Sequence, residues 1–250
     1  MEHGGRGRPL DKPAPRGQSQ PSRAATGNRT MHAIIDVASD VGPHASRLAA
    51  AGVATVIRYY NHRNSAALPS KCLAPGELAA LADAGLAVAA VFQQRGGAGG
   101  AIEDFDAPSG TRDVARARAT AAALGQPAGS GIYFAVDWDF HREADLARIA
   151  RYFERVRDGL DGRFGAGVYG SGAVGAWLRG RCLVDHVWLA WNADWTGTRD
   201  ALASGDWSLF QDAPGIGLGS DGPACDGNVA NPAIVDFGAR PASAWRPSRD

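Results

Sequence analysis

Two carboxylates stand one residue apart at the end of an apolar run, GIYFAVDWDF, at residues 131–140. Ionised carboxylates are costly to bury and repel one another at close range. A pair such as Asp137 and Asp139 is therefore tolerated mainly where it meets water, a metal or a substrate. Residues i and i+2 of a strand point to the same side of a sheet. The spacing predicts that both acids face one site, with Trp138 pointing outward into the layer of helices.

Paired acids suit two kinds of chemistry. In glycoside cleavage, one carboxyl group protonates the leaving oxygen while another acts as nucleophile, base or stabiliser of positive charge. In metal hydrolysis, Asp137, Asp139 and His141 would bind a divalent ion. No second histidine stands at HxxxH spacing, and three cysteines are too few and too irregularly spaced for a zinc ribbon or a disulfide framework. We expect acid/base chemistry with no metal and no other cofactor.

The elements that position these acids follow from the pattern of apolar runs. Runs rich in Val, Ile and aromatic residues occur at HAIIDVAS, TVIRYYN, LAVAAVFQQ, GIYFAVDWD, GAGVYGSG, HVWLAWN and WSLFQDA, most of them separated by Ala-rich segments with helical signals. The clearest helix is EADLARIARYFERVRDG, whose apolar stripe is Leu146, Ile149, Phe153, Val156 and Leu160. An eighth short strand is expected at ACDGNVAN. We predict an α/β fold, a single (β/α)8 TIM-type barrel over residues 31–240, with a doubly wound open sheet as the alternative.

In such a barrel the active site forms at the carboxyl ends of the strands. Polar or aromatic side chains stand at that end of most of the runs. The predicted catalytic acids are Asp36, Asp137, Asp139 and Asp226, and the predicted substrate contacts are Arg58, Tyr59, Gln93, Tyr169, Trp191 and Gln211. Two structural alternatives remain open. Asp36 could pair with Arg58 inside the barrel, and Asp226 could be a turn residue in CDGN.

Six short motifs, in order, resemble a known family: IIDVAS, YFAVDWD, GVYGSG, VWLAWN, LFQDA and CDGNVAN. They are similar to the bacterial glycoside-hydrolase-like domain of unknown function, which itself resembles the family 25 glycoside hydrolases, barrel lysozymes that cut peptidoglycan. The resemblance covers residues 31–240. It implies that Asp139 takes the proton-donor position, with Asp137 as its partner and Asp36 and Asp226 as the outer acids. The lysozymes have Glu at the donor position, one methylene longer than Asp139.

Two functions are therefore expected. The first is a glycosidase that hydrolyses cell-wall, peptidoglycan-type or related polysaccharide by carboxylate acid/base catalysis. The alternative is a catalytically inactive barrel that binds cell-wall glycan, which the shorter acid at the donor position favours. With 26 basic and 26 acidic residues the formal net charge is zero, which lends no support to a nucleic-acid partner. We expect a monomer without a membrane span.

The ends of the chain are expected to lie outside the barrel. Residues 1–30 hold six Lys/Arg against two Asp/Glu, are rich in Pro, Gly and Ser, and show no apolar period, which predicts a disordered basic tail. Residues 241–250 are predicted to form a second tail. This sequence shows no apolar core of a signal peptide. The resemblance would suit secretion or cell-wall association, so the compartment is left open.

Overall fold

The computed structural model describes residues 32–218 and 222–246, and the predicted disordered tail lies outside them. Eight strands close into a barrel, and a helix follows each of the first six on the outer surface. The strands are β1 (Ile34–Asp36), β2 (Thr55–Tyr60), β3 (Ala87–Phe92), β4 (Gly131–Ala135), β5 (Gly165–Gly170), β6 (His186–Leu189), β7 (Leu209–Gly217) and β8 (Ala224–Ala230). The helices are α1 (Ala45–Ala50), α2 (Pro75–Asp83), α3 (Ala107–Leu124), α4 (Glu143–Leu160), α5 (Gly172–Arg179) and α6 (Thr198–Ser204). The predicted α/β barrel is confirmed.

The last strand departs from the predicted repeat. β1 to β7 run parallel, each beside the next, but β8 is antiparallel to both β7 and β1. Only residues 218–223 separate β7 from β8. A parallel crossover needs a dozen or more residues, so this short connection can only reverse the chain. β8 therefore closes the barrel as the second arm of a hairpin.

Strand alternation creates two apolar cores. Side chains that point inward fill the barrel, among them Ile34, Ile57, Val91, Tyr133, Trp188 and Leu209. Side chains that point outward pack under the helices, and the predicted stripe of α4 is buried there in full. Because inward and outward residues alternate, an inward polar residue near the carboxyl end of a strand can reach only the barrel mouth.

Helices α3 and α4 cross at two glycines. A Cβ on Gly110 would lie 2.5 Å from the carbonyl oxygen of Tyr152, and one on Gly159 would lie 2.4 Å from Cγ1 of Val114. Backbones can approach this closely only where a side chain is missing. The contact fixes the α4 face that packs on β4, the strand that leads into Asp137. Among the described helices, none is long and apolar enough to cross a membrane.

The folded chain continues past residue 240, where a tail is predicted. A ninth strand, β9 (Arg240–Pro241), pairs antiparallel with the start of β3, and a 3-10 turn follows at Ala242–Ala244. The backbone N–H of Ala242 donates to Leu86 at 2.9 Å, and Trp245 is 3% exposed. The segment RPASAW is too short to show a period, so the tail prediction is wrong for these residues.

Candidate active site

A cavity of about 240 Å³ opens at the carboxyl-end mouth of the barrel. Three of the four predicted acids and five of the six predicted substrate contacts line it. These residues are Asp36, Asp137, Asp226, Tyr59, Gln93, Tyr169, Trp191 and Gln211. They come from all eight barrel strands or the loops that follow them, which is the convergence that the barrel prediction requires.

Asp36 and Asp226 form one side of the site. They are register partners in the antiparallel pair β1–β8, so they lie directly opposite one another on neighbouring strands. Nε2 of Gln211 bridges them, donating to Oδ2 of Asp36 at 2.9 Å and to Oδ2 of Asp226 at 3.2 Å. Asn228 Nδ2 donates to the same oxygen of Asp36 at 2.9 Å, and the Tyr59 hydroxyl donates to its Oδ1 at 3.2 Å.

Asp36 keeps its proton close to neutral pH. It is 2% exposed, and burial raises its pKa from 3.8 to about 7. The hydrogen bonds from Asn228, Gln211 and Tyr59 lower this pKa, while repulsion from Asp226 raises it. Burial dominates because an ionised carboxylate loses more solvation than three donors restore. The pair thus carries a proton on its deeper member.

Asp137 forms the opposite side. β4 lies four strands from β8 in either direction round the barrel, so the two acids face one another across the mouth. Gln93 Nε2 donates to Oδ2 of Asp137 at 2.9 Å, and the Asp137 backbone N–H donates to Gly96 at 2.7 Å. Burial raises the pKa of Asp137, against the effects of the Gln93 hydrogen bond and of the Lys71 ammonium.

Aromatic side chains orient the amides that hold the acids. The Tyr169 hydroxyl donates to Oε1 of Gln211 at 2.9 Å, and Nε1 of Trp188 donates to Oδ1 of Asn228 at 2.8 Å. The rings of Tyr169 and Trp188 meet edge to face with centroids 4.7 Å apart. Each amide therefore presents its N–H groups to Asp36. Trp191, which is 53% exposed, stands at the rim of the mouth.

Asp139 does not share the cavity with Asp137. Its Oδ1 accepts from the backbone N–H of Thr196 at 2.9 Å, and its Oδ2 accepts from the Thr196 hydroxyl at 3.0 Å. Thr196 belongs to the loop between β6 and α6. β4 ends at Ala135, and Phe140 N–H bonds back to Trp138. The rule that i and i+2 share a face holds only inside a strand, so the predicted placement of Asp139 is wrong.

Trp138 and His141 also differ from the sequence interpretation. Trp138 is 45% exposed rather than packed into the helical layer. Nδ1 of His141 lies 3.0 Å from the backbone oxygen of Asp139. Across residues 32–218 and 222–246, no group of three His, Cys, Asp or Glu side chains is placed to hold a metal ion.

Arg58 points away from the site, contrary to its predicted role as a substrate contact. It alternates with Tyr59 on β2, so its fully buried guanidinium enters the layer between barrel and helices. There it donates to Glu77 of α2, with Nε 2.7 Å from Oε1, and to the backbone oxygens of Val37 and Ser70. The alternative pairing of Asp36 with Arg58 is therefore wrong as well.

Three site residues are missing from the prediction. Asn228 stands two positions after Asp226 in β8, and Trp188 stands two before Ala190 in the inward row of β6, so the period of two could have identified both. Lys71 belongs to the loop between β2 and α2, where no period applies. Its Nζ lies 2.9 Å from the backbone oxygen of Gln93.

A larger cavity, of about 380 Å³, lies between the barrel and helices α3 and α4. Its partly buried acids are engaged in fixed contacts. Asp113 is bonded to His62 and Tyr152, Asp104 to Arg95, and Asp106 to the first turn of α3. The smaller cavity has facing acids whose hydrogen-bond partners are themselves oriented side chains. We therefore place the candidate active site at the barrel mouth.

A closed α/β barrel with carboxyl groups facing one another across its mouth is an arrangement suited to glycoside hydrolysis. The chain belongs to the family described as the Rv2525c-like, glycoside hydrolase-like domain, whose model matches residues 46–214. That range includes Asp137, while Asp36 and Asp226 lie outside it. The recognition made from the sequence motifs is confirmed.

Solved structures share the fold. The Tat-secreted protein Rv2525c of Mycobacterium tuberculosis, in complex with L-tartrate, has a TM-score of 0.69 and 24% identity over 82% of this chain and 97% of its own. A glycosyl hydrolase 25 of Streptococcus pneumoniae has a TM-score of 0.50 and 13% identity over 80% of this chain and 87% of its own. An uncharacterized protein of Bacillus subtilis, YbfG, is 37% identical over 110 residues. That match spans 42% of this chain and only 14% of YbfG.

Proposed function

We propose that this protein hydrolyses glycosidic bonds in a cell-wall, peptidoglycan-type polysaccharide by carboxylate acid/base catalysis. The observation that carries the proposal is the placement of Asp137 opposite the Asp36–Asp226 pair across one cavity. Burial raises the pKa of an acid on each side. Glycoside cleavage needs a protonated carboxyl on one side of the scissile bond and a carboxylate on the other.

Each acid takes a role that its environment supports. Asp137 is only half-buried and has a raised pKa, which suits a proton donor to the leaving oxygen. Asp226 is more exposed than Asp36 and supplies the facing carboxylate, which activates water or stabilises positive charge on the sugar. Asp36 is too deeply buried to reach a substrate. It acts through Gln211, whose Nε2 donates to both Asp36 and Asp226.

Several observations support a sugar as the substrate. Tyr59, Tyr169 and Trp191 offer aromatic surface for the C–H faces of a sugar, and Gln93 offers an amide for its hydroxyls. The family and the fold shared with a glycosyl hydrolase 25 point the same way.

The test compares two neighbouring acids. Asp137→Asn should lower the release of reducing ends from peptidoglycan, or from another polysaccharide in a panel, by roughly 10²- to 10⁴-fold, the contribution of general acid catalysis. Asp139→Asn is the matched control, since it makes the same change two residues away and outside the cavity. Its turnover should stay within a few-fold of the parent. The reverse result would restore the donor role that the family resemblance gives to Asp139.

Glycan binding without cleavage is the second candidate. The engagement of Asp139 by Thr196 favours it, because the residue at the family's donor position is held away from the cavity. Under this alternative the parent protein binds glycan fragments but releases no reducing ends at any pH. Asp137→Asn would then leave binding nearly unchanged.

A further inference from the structure

One ammonium group touches both sides of the candidate site. Nζ of Lys71 donates to the backbone oxygen of Gln93 at 2.9 Å and lies 4.5 Å from the centroid of the Tyr59 ring. Tyr59 donates to Asp36, and the side chain of Gln93 donates to Asp137. The ammonium thus contacts one residue that binds Asp36 and one that binds Asp137.

We propose that Lys71 is a positioning residue of this site, whose ammonium fixes Tyr59 and Gln93 and so couples the protonation of Asp36 to that of Asp137. The inference rests on the proposed function only in taking Asp36 and Asp137 as acids of the candidate site. Lys71 itself does not line the cavity, so it acts through the residues that it holds.

The loop holds Lys71 in place. Asn64 accepts from the backbone N–H of Cys72 at 2.8 Å and donates to the backbone oxygen of Pro69 at 2.8 Å. Cys72 forms a parallel β-bridge with Tyr59, and the backbone N–H of Leu73 donates to the backbone oxygen of Tyr59 at 3.0 Å. Both flanks of Lys71 are therefore tied, one across the loop and the other to the end of β2. A freely moving surface lysine would have neither tie.

The charges around Lys71 make the coupling electrostatic as well as geometric. Burial lowers the pKa of Lys71, Cys72 and Asp137 act to raise it, and Arg58 acts to lower it. Reciprocally, Lys71 lowers the pKa of Asp137, which burial raises. Tyr169 also interacts electrostatically with Asp137. Removal of the ammonium should therefore raise the pKa of Asp137.

The residue type supports the assignment. Of 26 basic residues in the chain only two, Lys12 and Lys71, are lysine. An ammonium is a compact charge that can sit over a ring and still donate to a carbonyl, whereas a planar guanidinium prefers a bidentate partner. Between Tyr59 and Gln93 the ammonium meets one carbonyl oxygen and one ring face, and a lysine can contact both at once.

The scarcity of lysine gives a direct experiment. Protein labelled with ¹³C at lysine Cε should show two lysine signals, and a Lys12→Arg variant assigns them. We expect Lys71 to titrate below the ordinary lysine pKa of 10.5, and its midpoint to fall further in Asp137→Asn. In protein labelled at aspartate carboxyl carbons, Lys71→Met should raise the midpoints of Asp137 and, through Tyr59, of Asp36. Lys71→Arg, which keeps the charge, should restore most of the change at Asp137.

An unchanged Lys71 midpoint in Asp137→Asn, together with unchanged acids in Lys71→Met, would overturn the proposal. If Lys71→Met does not fold, Lys71→Gln keeps a donor for Gln93 without the charge and should still raise the Asp137 midpoint. These titrations do not measure hydrolysis. A protein without glycosidase activity can therefore still confirm the coupling, and an active one can still refute it.

Discussion

Asp36 owes its raised pKa to burial, at a position beside β8 that only the closed barrel creates. Its pKa is about 7 in the folded protein and 3.8 in its ordinary state. Between these pH values the folded protein holds a proton that the unfolded chain has released. The contribution of Asp36 to stability therefore falls as pH rises from about 4 to about 7, by up to about 1.4 kcal/mol per pH unit.

This dependence predicts the behaviour of Asp36→Asn, which cannot ionise. The free energy of unfolding of the variant, relative to that of the parent, should increase steadily across the same pH window and level off above it. Urea denaturation at several pH values measures the free energy of unfolding of both proteins. The titration of the other acids contributes to both values and cancels in their difference. A parent–variant difference that is flat from pH 4 to 7 would show that Asp36 is ionised in the folded state.

At the residue scale the sequence predicts side chains inside strands better than side chains beyond them. Asp36, Tyr59, Tyr169 and Gln211 lie on or directly beside regular strand, where alternation holds, and all reach the cavity. Asp139 lies four residues past the end of β4, where a turn redirects it to Thr196. Arg58 is a different failure, since alternation with Tyr59 would have excluded it from the barrel mouth.

At the element scale, β2 and α2 are joined by the buried pair of Arg58 and Glu77, both with side chains 0% exposed. Glu77→Ala should lower the free energy of unfolding by about 3–5 kcal/mol, because it leaves the Arg58 charge buried and unpaired. Asp158→Ala, which breaks the exposed pair with Arg155, should cost less than about 1 kcal/mol. Equal losses in the two variants by urea denaturation would mean that Arg58 finds water or another acceptor.

The elements themselves are largely readable from the sequence because local pattern and tertiary packing agree. Seven of the eight barrel strands fall within the predicted runs, and α4 buries its predicted stripe. The exception is β7, which begins in WSLFQDA and continues four residues beyond it. Strand direction is not a local property. The direction of β8 follows from the length of its connection to β7, and it places Asp226 near the start of a strand rather than at its end. The acid still reaches the mouth, since the start of an antiparallel strand lies beside the ends of its parallel neighbours.

At the scale of the whole molecule, the two ends of the barrel differ in what they do. The carboxyl ends of the parallel strands hold the polar cavity, whereas the amino ends are covered by the C-terminal segment. The Tyr133 hydroxyl inside the barrel donates to the backbone of Phe237 at 2.7 Å, and Gly131 N–H donates to Gly238 at 2.9 Å. Gly238 has φ +89, and a Cβ there would lie 2.7 Å from Cα of Gly131. Within the described residues, this close cover packs against the amino end of β4.

Trp245 anchors the C-terminal segment that covers the amino ends of the strands. Substitution of Trp245 tests whether this segment stabilises the protein. The 3-10 turn before it packs on α2, and the indole is 3% exposed. Trp245→Ala should therefore lower the free energy of unfolding by about 3–5 kcal/mol, the usual cost of truncating a buried Trp. Its Nε1 has no hydrogen-bond partner within the described residues. Trp245→Phe should consequently retain most of the stability, since it loses area but no hydrogen bond.

The titration of the acids at the barrel mouth is a second measurement on the same variant. Because Trp245 packs at the far end, Trp245→Ala should leave the titration midpoints of Asp36 and Asp137 unchanged under conditions where the protein remains folded. Urea denaturation and carboxyl ¹³C titration together measure the two effects. A loss of stability accompanied by shifted midpoints would show that the C-terminal segment shapes the site as well as the fold. A Trp245→Ala variant as stable as the parent would show instead that residues 242–246 pack without contributing to stability.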